Sequence, residues 1–247
     1  VHGPLEGLFT VDEETGLTGA THVDPEMIKG EMLLNLDSED DAQIFVGCAG
    51  GVDTTCLFTY KPEMAPTDYH YFRFNIEKGL GGHSGSDIHQ GRANAVQLMS
   101  RFVWNLAQKH DVAICEIDGG NLRNAIPRAA HCVLGVHSVK KEEVVAMFNQ
   151  FVADVQNEYK GLETTLEMTL VTADKPEIAM DKETGMKLIG AMFACPHGVI
   201  SMSREIEGLT ETSTNLASVK MQPDHKVLVV TSQRSSVESR KWCIAQR

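Results

Sequence analysis

Apolar and polar positions along this chain change period several times, and each change marks an element. Residues 69–76 alternate with the two-residue period of a half-buried strand, whereas Ala93, Val96, Leu98, Phe102, Val103 and Leu106 recur at helical spacing. Residues 112–117 and 130–136 read as strands and 142–159 as a helix, which gives the order β-α-β-β-α over 67–162. The same order returns over 163–247. It has a strand at 166–171, a helix near 181–194, strands near 211–220 and 226–231, and a helix from 236. Two such units predict a duplicated, ferredoxin-like layering of sheet and helices.

Upstream the pattern differs. Residues 5–11 and 32–36 are short apolar runs, each closed by an acid-rich loop, and 44–46 leads into Gly-Cys-Ala-Gly-Gly at 47–51. Short strands ending in acidic loops suit the edge of an α/β sheet, where functional groups gather at strand carboxyl ends. The Pro-Glu-Met-Ala-Pro stretch at 62–66 predicts a boundary. The expected organisation is therefore α/β (α+β), with one domain over 1–66 and a second over 67–247.

Composition narrows the chemistry. With 22 Lys and Arg against 34 Asp and Glu, the formal net charge is −12, which repels nucleic acid and anionic membranes unless a local basic patch overcomes the field. No apolar run approaches the ~20 residues that cross a bilayer. A hydrophobic content of 42% builds real cores and excludes disorder. The cysteines at 48, 56, 115, 132, 195 and 243 form no Cys-x-x-Cys pair, which reads as a reducing, cytoplasmic setting without cysteine-held zinc. The chain opens without Met or a secretory signal and stops inside a helical pattern, so both ends read as cut from something longer.

Four constellations carry candidate chemistry. Glu13-Glu14 places two diverging carboxylates on a loop, one suited to a metal ion and one to taking a proton from water. A solvated acidic turn is the commoner fate of such a pair, as a plain loop aspartate is for Asp37. Gly-Leu-Gly-Gly-His-Ser-Gly at 79–85 surrounds His83 with glycines, letting backbone approach a ligand closely while the imidazole donates to a developing oxyanion. A glycine turn with a surface histidine has the same sequence. The polar loop 119–128 offers Asn124 as donor and acceptor and Arg128 as an anion clamp. Arg234, just past the strand 227–230, is a natural carboxylate partner, though a surface ion pair is the usual outcome.

In this order the pieces resemble the aminoacyl-histidine dipeptidases, also called Xaa-His, carnosinase-like or cytosol non-specific dipeptidases, which are two-zinc metallopeptidases. The matching text is Val-His-Gly-Pro-Leu-Glu at 1–6, Glu-Glu-Thr-Gly at 13–16, Leu-Asp-Ser-Glu at 36–39 and Gly-Cys-Ala-Gly-Gly at 47–51. It continues with Lys-Gly-Leu-Gly-Gly-His-Ser-Gly at 78–85, Leu-Arg-Asn-Ala-Ile-Pro-Arg at 122–128 and Glu-Thr-Ser-Thr-Asn at 211–215. The resemblance implies zinc-dependent hydrolysis of dipeptides, with Glu13 as general base, Glu14 and Asp37 as metal ligands, and His83 stabilising the tetrahedral intermediate. It places Asn124, Asn215 and Arg234 against the substrate backbone or carboxylate. It also implies that 1–66 is part of a catalytic α/β domain and 67–247 a lid of two repeats, 67–162 and 163–247.

The family's two-zinc site (manganese or cobalt being other candidate metals) also draws on a His-x-Asp strand region earlier than the Glu-Glu pair and on a second His near the carboxyl end of the family's chains, neither of which is present here. The chain is thus expected to be an internal piece, inactive alone, of an enzyme in which two copies pair. Two rival readings are a non-catalytic lid or oligomerisation module and an N-acyl amino acid amidohydrolase on the same scaffold.

Overall fold

A computed structural model describes residues 2–37 and 47–247, with the side chains of Glu14 and Thr15 excepted. The chain divides into two compact units, Val1–Gly47 and Cys48–Arg247.

In the first unit the described residues form two single-turn helices, α1 (Glu13–Gly16) and α2 (Thr18–Thr21), and a 3-10 turn at Pro25–Met27. Glu6 ties its two arms together by accepting hydrogen bonds from the backbone N–H groups of Lys29 (2.9 Å) and Gly30 (3.0 Å). The strands expected at 5–11 and 32–36 are not formed. A strand needs a neighbour to satisfy its backbone N–H and C=O groups, and none lies beside these runs among the described residues. Their large side chains, Leu5, Phe9, Met32, Leu33 and Leu36 among them, are exposed. The run at 44–46 lies outside the described residues.

The second unit contains, in chain order, β1 (Gly50–Thr59), β2 (Pro62–Met64), β3 (Tyr69–Glu77), β4 (Gly82–His83), α3 (Ala95–Ala107), β5 (Val112–Gly119), β6 (Ala125–Ile126), β7 (Ala130–His137) and α4 (Lys141–Glu158). It continues with β8 (Glu167–Thr172), β9 (Ile178–Met180), α5 (Lys182–Ala194), β10 (Gly198–Met202), β11 (Thr210–Gln222), β12 (Lys226–Ser235) and α6 (Glu238–Ala245). The main sheet runs β1-β12-β11-β5-β7-β3-β8, with β10 beside β11, and its recorded pairings are antiparallel.

Alternation gives this sheet two different faces. Phe72, Phe74 and Ile76 of β3 join Cys132, Leu134 and Val136 of β7 in the core, while Arg73 and Asn75 stand on the opposite face. The core face is covered by helices whose apolar stripes match it. Val96, Met99, Phe102, Val103 and Leu106 come from α3, Phe148 and Phe151 from α4, and Leu188, Ile189 and Met192 from α5. Phe74 packs edge-on against Phe102 and Phe148, with ring centroids 4.9 and 5.7 Å apart.

The mixed α/β class holds, and both halves are present, but the second half is assembled differently from expectation. In the first half β3, β5 and β7 lie in the order β5-β7-β3. The matching order in the second is β11-β12-β1, so its first strand is Gly50–Thr59. The strand expected to play that part, β8, instead extends the first half beside β3. Alternation identifies a strand but not the edge it joins. The boundary also moves from 62–66 to the junction of Gly47 and Cys48. β1 is paired with β12 along its whole length, from Gly50 opposite Ser235 to Thr59 opposite Lys226. The proline-flanked stretch forms β2, which pairs with β9 and brings Ala65 and Ala179 against Tyr71, Cys115 and Val133.

Candidate functional site

Four of the residues singled out from the sequence, His83, Asn124, Asn215 and Arg234, come together in the second unit. His83 sits on β4, which pairs with β6 so that His83 stands opposite Ala125, the residue after Asn124. The loop bearing it closes on itself, because Asp87 Oδ2 accepts from His83 N–H at 2.8 Å and Asp87 N–H donates to the His83 carbonyl at 2.9 Å. Two arginines grip the glycines before it. Arg92 Nη1 donates to the Gly81 carbonyl at 2.6 Å and Arg128 Nε to the Gly79 carbonyl at 2.9 Å. Arg128 thus gives its Nε–H to the loop, while the other guanidinium N–H groups of this exposed residue have no partner among the described residues. Gly82 has φ +136, and a Cβ there would stand 2.5 Å from Arg92 Nη1, so the close approach needs glycine.

The imidazole of His83 has a defined tautomer. Its Nδ1 receives the backbone N–H groups of Gly85 and Ser86, each at 3.2 Å, with Ser86 Oγ at 3.3 Å. A nitrogen that accepts from two N–H donors carries no proton, so the ring hydrogen is on Nε2, the outward donor of an exposed side chain.

The strands supply the rest. Asn215 on β11 donates from Nδ2 to the carbonyls of Arg123 (3.1 Å) and Ala125 (2.9 Å), pinning the 121–126 loop to the sheet. Ser84 N–H donates to the Asn124 carbonyl at 2.7 Å. Arg234 lies within β12, not beyond its end as the sequence suggested, on the face opposite Val227 and Val229. It adjoins His83: a Cβ on Gly85 would stand 3.0 Å from the imidazole Cε1 and 3.1 Å from Arg234 Nη1. Three buried polar atoms of this group have no hydrogen-bond partner among the described residues: Ser84 Oγ, Asn215 Oδ1 and Arg234 Nε. Such atoms are rare and costly in a folded protein. Here they collect beside one outward imidazole N–H, as expected of a site that completes its hydrogen bonds with a ligand.

Sequence reasoning missed Ser84, Asp87 and Arg92, although all three lie in or just after the glycine-rich motif. It also missed the Asp53–Arg123 ion pair at 3.2 Å, because Asp53 reaches the site only through the pairing of β1. A separate cleft of about 490 Å³, lined by residues including Arg73, Asn75, Asp118, Arg128, His131 and Lys220, does not include His83, Asn215 or Arg234. Within it Lys220 pairs with Asp118 (2.8 Å), and Arg73 and His131 both turn to Glu116 outside the lining (3.3 and 2.8 Å).

The expected catalytic and metal-binding carboxylates belong to the first unit. Glu13 is exposed on α1. Glu14 follows it, its side chain outside the described set. Asp37 is exposed, its N–H held by Asn35 Oδ1 at 3.0 Å. Among the described residues no group of three or more His, Cys, Asp or Glu is placed to hold a metal ion. Since zinc sites take about four ligands, commonly with imidazole among them, these residues alone do not fit a two-zinc centre.

Comparison with known proteins gives these features a context. Residues 77–163 match the family model described as a peptidase dimerisation domain. The chain is 36% identical over 244 residues to the cytosol non-specific dipeptidase of Escherichia coli (strain K12), covering 98% of this chain and 50% of that protein. The crystal structure of aminoacylhistidine dipeptidase from Vibrio alginolyticus superposes with a TM-score of 0.82 at 33% identity, covering 96% of this chain and 50% of the other. The chain therefore spans about half the length of the relatives it matches.

Proposed function

The chain belongs to the family of these dipeptidases, and on that premise we propose that it serves the hydrolysis of dipeptides and other short peptides, its second unit holding the peptide's backbone and terminal carboxylate. The observation that carries this reading is the set of unsatisfied groups around His83: an outward imidazole Nε2–H, the buried Nε–H of Arg234, Asn215 Oδ1 and Ser84 Oγ.

Each group has a part that follows from its chemistry. Arg234 offers a guanidinium N–H to the terminal carboxylate of the peptide, and fixing that end limits substrate length. Asn215, its amide nitrogen spent on the loop, has only its carbonyl oxygen to offer, which suits a peptide N–H. Asn124, immediately before β6 in the strand pair that bears His83, is proposed to contact the peptide backbone. His83, held in one tautomer by two backbone N–H groups, donates to the scissile carbonyl oxygen as negative charge develops on it. A donor oriented before the reaction starts costs no reorganisation during it. Glu13 is proposed as the base that takes a proton from the attacking water and later returns it to the leaving amine. Glu14 and Asp37 remain the proposed metal ligands from this chain, with zinc the expected metal. Because the described donors do not complete such a centre, no step here is routed through it. The match of 77–163 to a dimerisation domain supports a second copy of the chain as partner. The name of the Escherichia coli relative supports the cytosol as the setting. No helix among the described residues is long and apolar enough to cross a membrane.

The test is kinetic, in the full-length protein. Arg234→Ala is expected to raise KM for dipeptides on the order of 100-fold, since a charge-assisted contact to a carboxylate is lost. Dipeptide amides, which lack that carboxylate, should be affected far less. His83→Ala should instead lower kcat on the order of 10²-fold, as removal of an oxyanion donor does. Equal losses on peptide and peptide amide in the Arg234 variant would remove the carboxylate assignment.

A further inference from the structure

Asp53 on β1, Ser232 on β12 and Asn215 on β11 stand side by side in register across three adjacent strands. Arg234 is the second residue beyond Ser232 on β12, so all four share the face that bears the site. The Asp53 carboxylate Oδ2 lies 3.2 Å from Arg123 Nη1. Arg123 is also the residue whose carbonyl accepts one of the two hydrogen bonds from Asn215 Nδ2. Its backbone is therefore fastened to β11 at the site, while its side chain reaches the carboxylate on β1.

Two guanidinium groups thus flank Asn215, and they differ. That of Arg123 is compensated by Asp53, whereas Arg234 keeps a buried Nε–H with no partner among the described residues. The Asp53–Arg123 pair is half-exposed, its side chains 36% and 45% accessible, and an ion pair that exposed adds little to the stability of a fold. Its larger consequence is for the charge a ligand meets. Asp53 and Arg234 are diagonal neighbours on adjacent strands, a separation of about 7–8 Å between backbones, which the two carboxylates of one acidic residue can span with the help of long side chains.

We propose that Asp53 determines specificity: by neutralising Arg123 it leaves Arg234 as the uncompensated member of the two guanidinium groups flanking Asn215, so the site takes peptides ending in a single carboxylate and disfavours those whose last residue carries a second. This rests on the reading that Arg234 and its neighbours hold a peptide carboxylate. With Asp53 removed, Arg123 becomes a second anion partner and an acidic terminal residue gains a place. With Arg123 removed, Asp53 is left uncompensated and a cationic terminal side chain gains instead. Discrimination arises from a like charge set against the wrong ligand as much as from attraction to the right one.

The experiment is a binding titration of the 247-residue chain, followed through the Arg Nε–H resonances, with glycylglycine, glycylaspartate and glycyllysine as probes. Asp53→Asn is expected to raise the affinity for glycylaspartate relative to glycylglycine about five- to tenfold. Arg123→Gln should leave that ratio unimproved and favour glycyllysine by a similar factor. If all three peptides change together in both variants, Asp53 and Arg123 only hold the loop in place and the proposal is overturned. If Arg234→Ala binds glycylglycine as the unaltered chain does, the carboxylate reading itself fails, an outcome separate from the first.

Discussion

His83 and His197 are both histidines whose Nδ1 accepts hydrogen bonds, yet burial gives them different consequences. At His83 the acceptor leaves Nε2–H facing outward, where it can meet a ligand. His197 is enclosed. Its Nδ1 receives Asn94 Nδ2 at 3.1 Å and Leu216 N–H at 3.4 Å, and burial pushes its pKa down to about 4. The unfolded chain, with an ordinary histidine pKa near 6.5, therefore binds a proton that the folded chain refuses between those values. This stability is fully present above about pH 6.5 and is lost progressively as pH falls toward 4, about 3 kcal/mol in all for a shift of that size. His197→Asn keeps an acceptor and removes the titration. Urea midpoints measured from pH 7.5 to 4.5 should fall more steeply for the unaltered chain than for this variant, and parallel curves would show that His197 does not titrate on unfolding. The two residues also mark how far sequence reading reaches. Four glycines around His83 announce a backbone needing unusual torsions, a signal visible in the string. His197 carries no such mark, since its role comes from partners 103 and 19 positions away.

At the scale of elements, the periods of apolar residues located α3, α4, α5 and six of the eight strands of the main sheet to within a few residues, because each of those elements packs one face against a core. What periodicity could not supply was pairing. Asn94 shows how much is decided there. It caps α3, its Oδ1 accepting from Gln97 N–H at 3.0 Å, while its Nδ2 donates to the Leu216 carbonyl at 2.8 Å and to His197 Nδ1. One side chain thus joins a helix start to β11 next to Asn215. Close by, Gly120 has φ +66, and a Cβ there would lie 1.9 Å from the Ala217 carbonyl oxygen, where β11 is bulged between Leu216 and Ser218. Aspartate caps helices as well as asparagine does in general. At position 94 it would keep the cap, lose both donors and place a carboxylate against a buried carbonyl oxygen. Asn94→Asp is therefore expected to cost about 3 kcal/mol in chemical denaturation. Asp181→Asn, a substitution at the cap of α5, should cost under ~1 kcal/mol. An unchanged midpoint for Asn94→Asp would mean that only the cap matters.

At the scale of the whole molecule, the sequence revealed two β-α-β-β-α halves but misplaced the strand that completes the second. Residues 50–59 precede the first half in the chain yet pair with β12, nine-tenths of the way along it. The first half is thus inserted between the opening strand of the second half and its remainder. Neither alternation nor proline could signal this, because a strand's alternation says which face is buried and nothing about its neighbour. The arrangement makes a sharp distinction between two starting points for the second unit. A chain begun at Cys48 retains β1 and β2 and is expected to unfold in one cooperative transition. A chain begun at residue 67, where the proline stretch suggested a boundary, loses β1, leaving one edge of the Val-Leu-Val-Val run of β12 without its partner. It also loses Tyr60 and Ala65, which are 6% and 2% exposed in the intact unit. An unpaired apolar edge recruits other chains, so the shorter form should elute as aggregates or show a urea midpoint lower by roughly 1 M. That follows from a loss of several kcal/mol of burial and pairing, set against a slope of about 1–3 kcal/mol/M. If instead it is monodisperse with an unchanged midpoint, β1 is an accessory to the sheet. The Asp53–Arg123 pair would then have to be explained without a fixed β1 behind it.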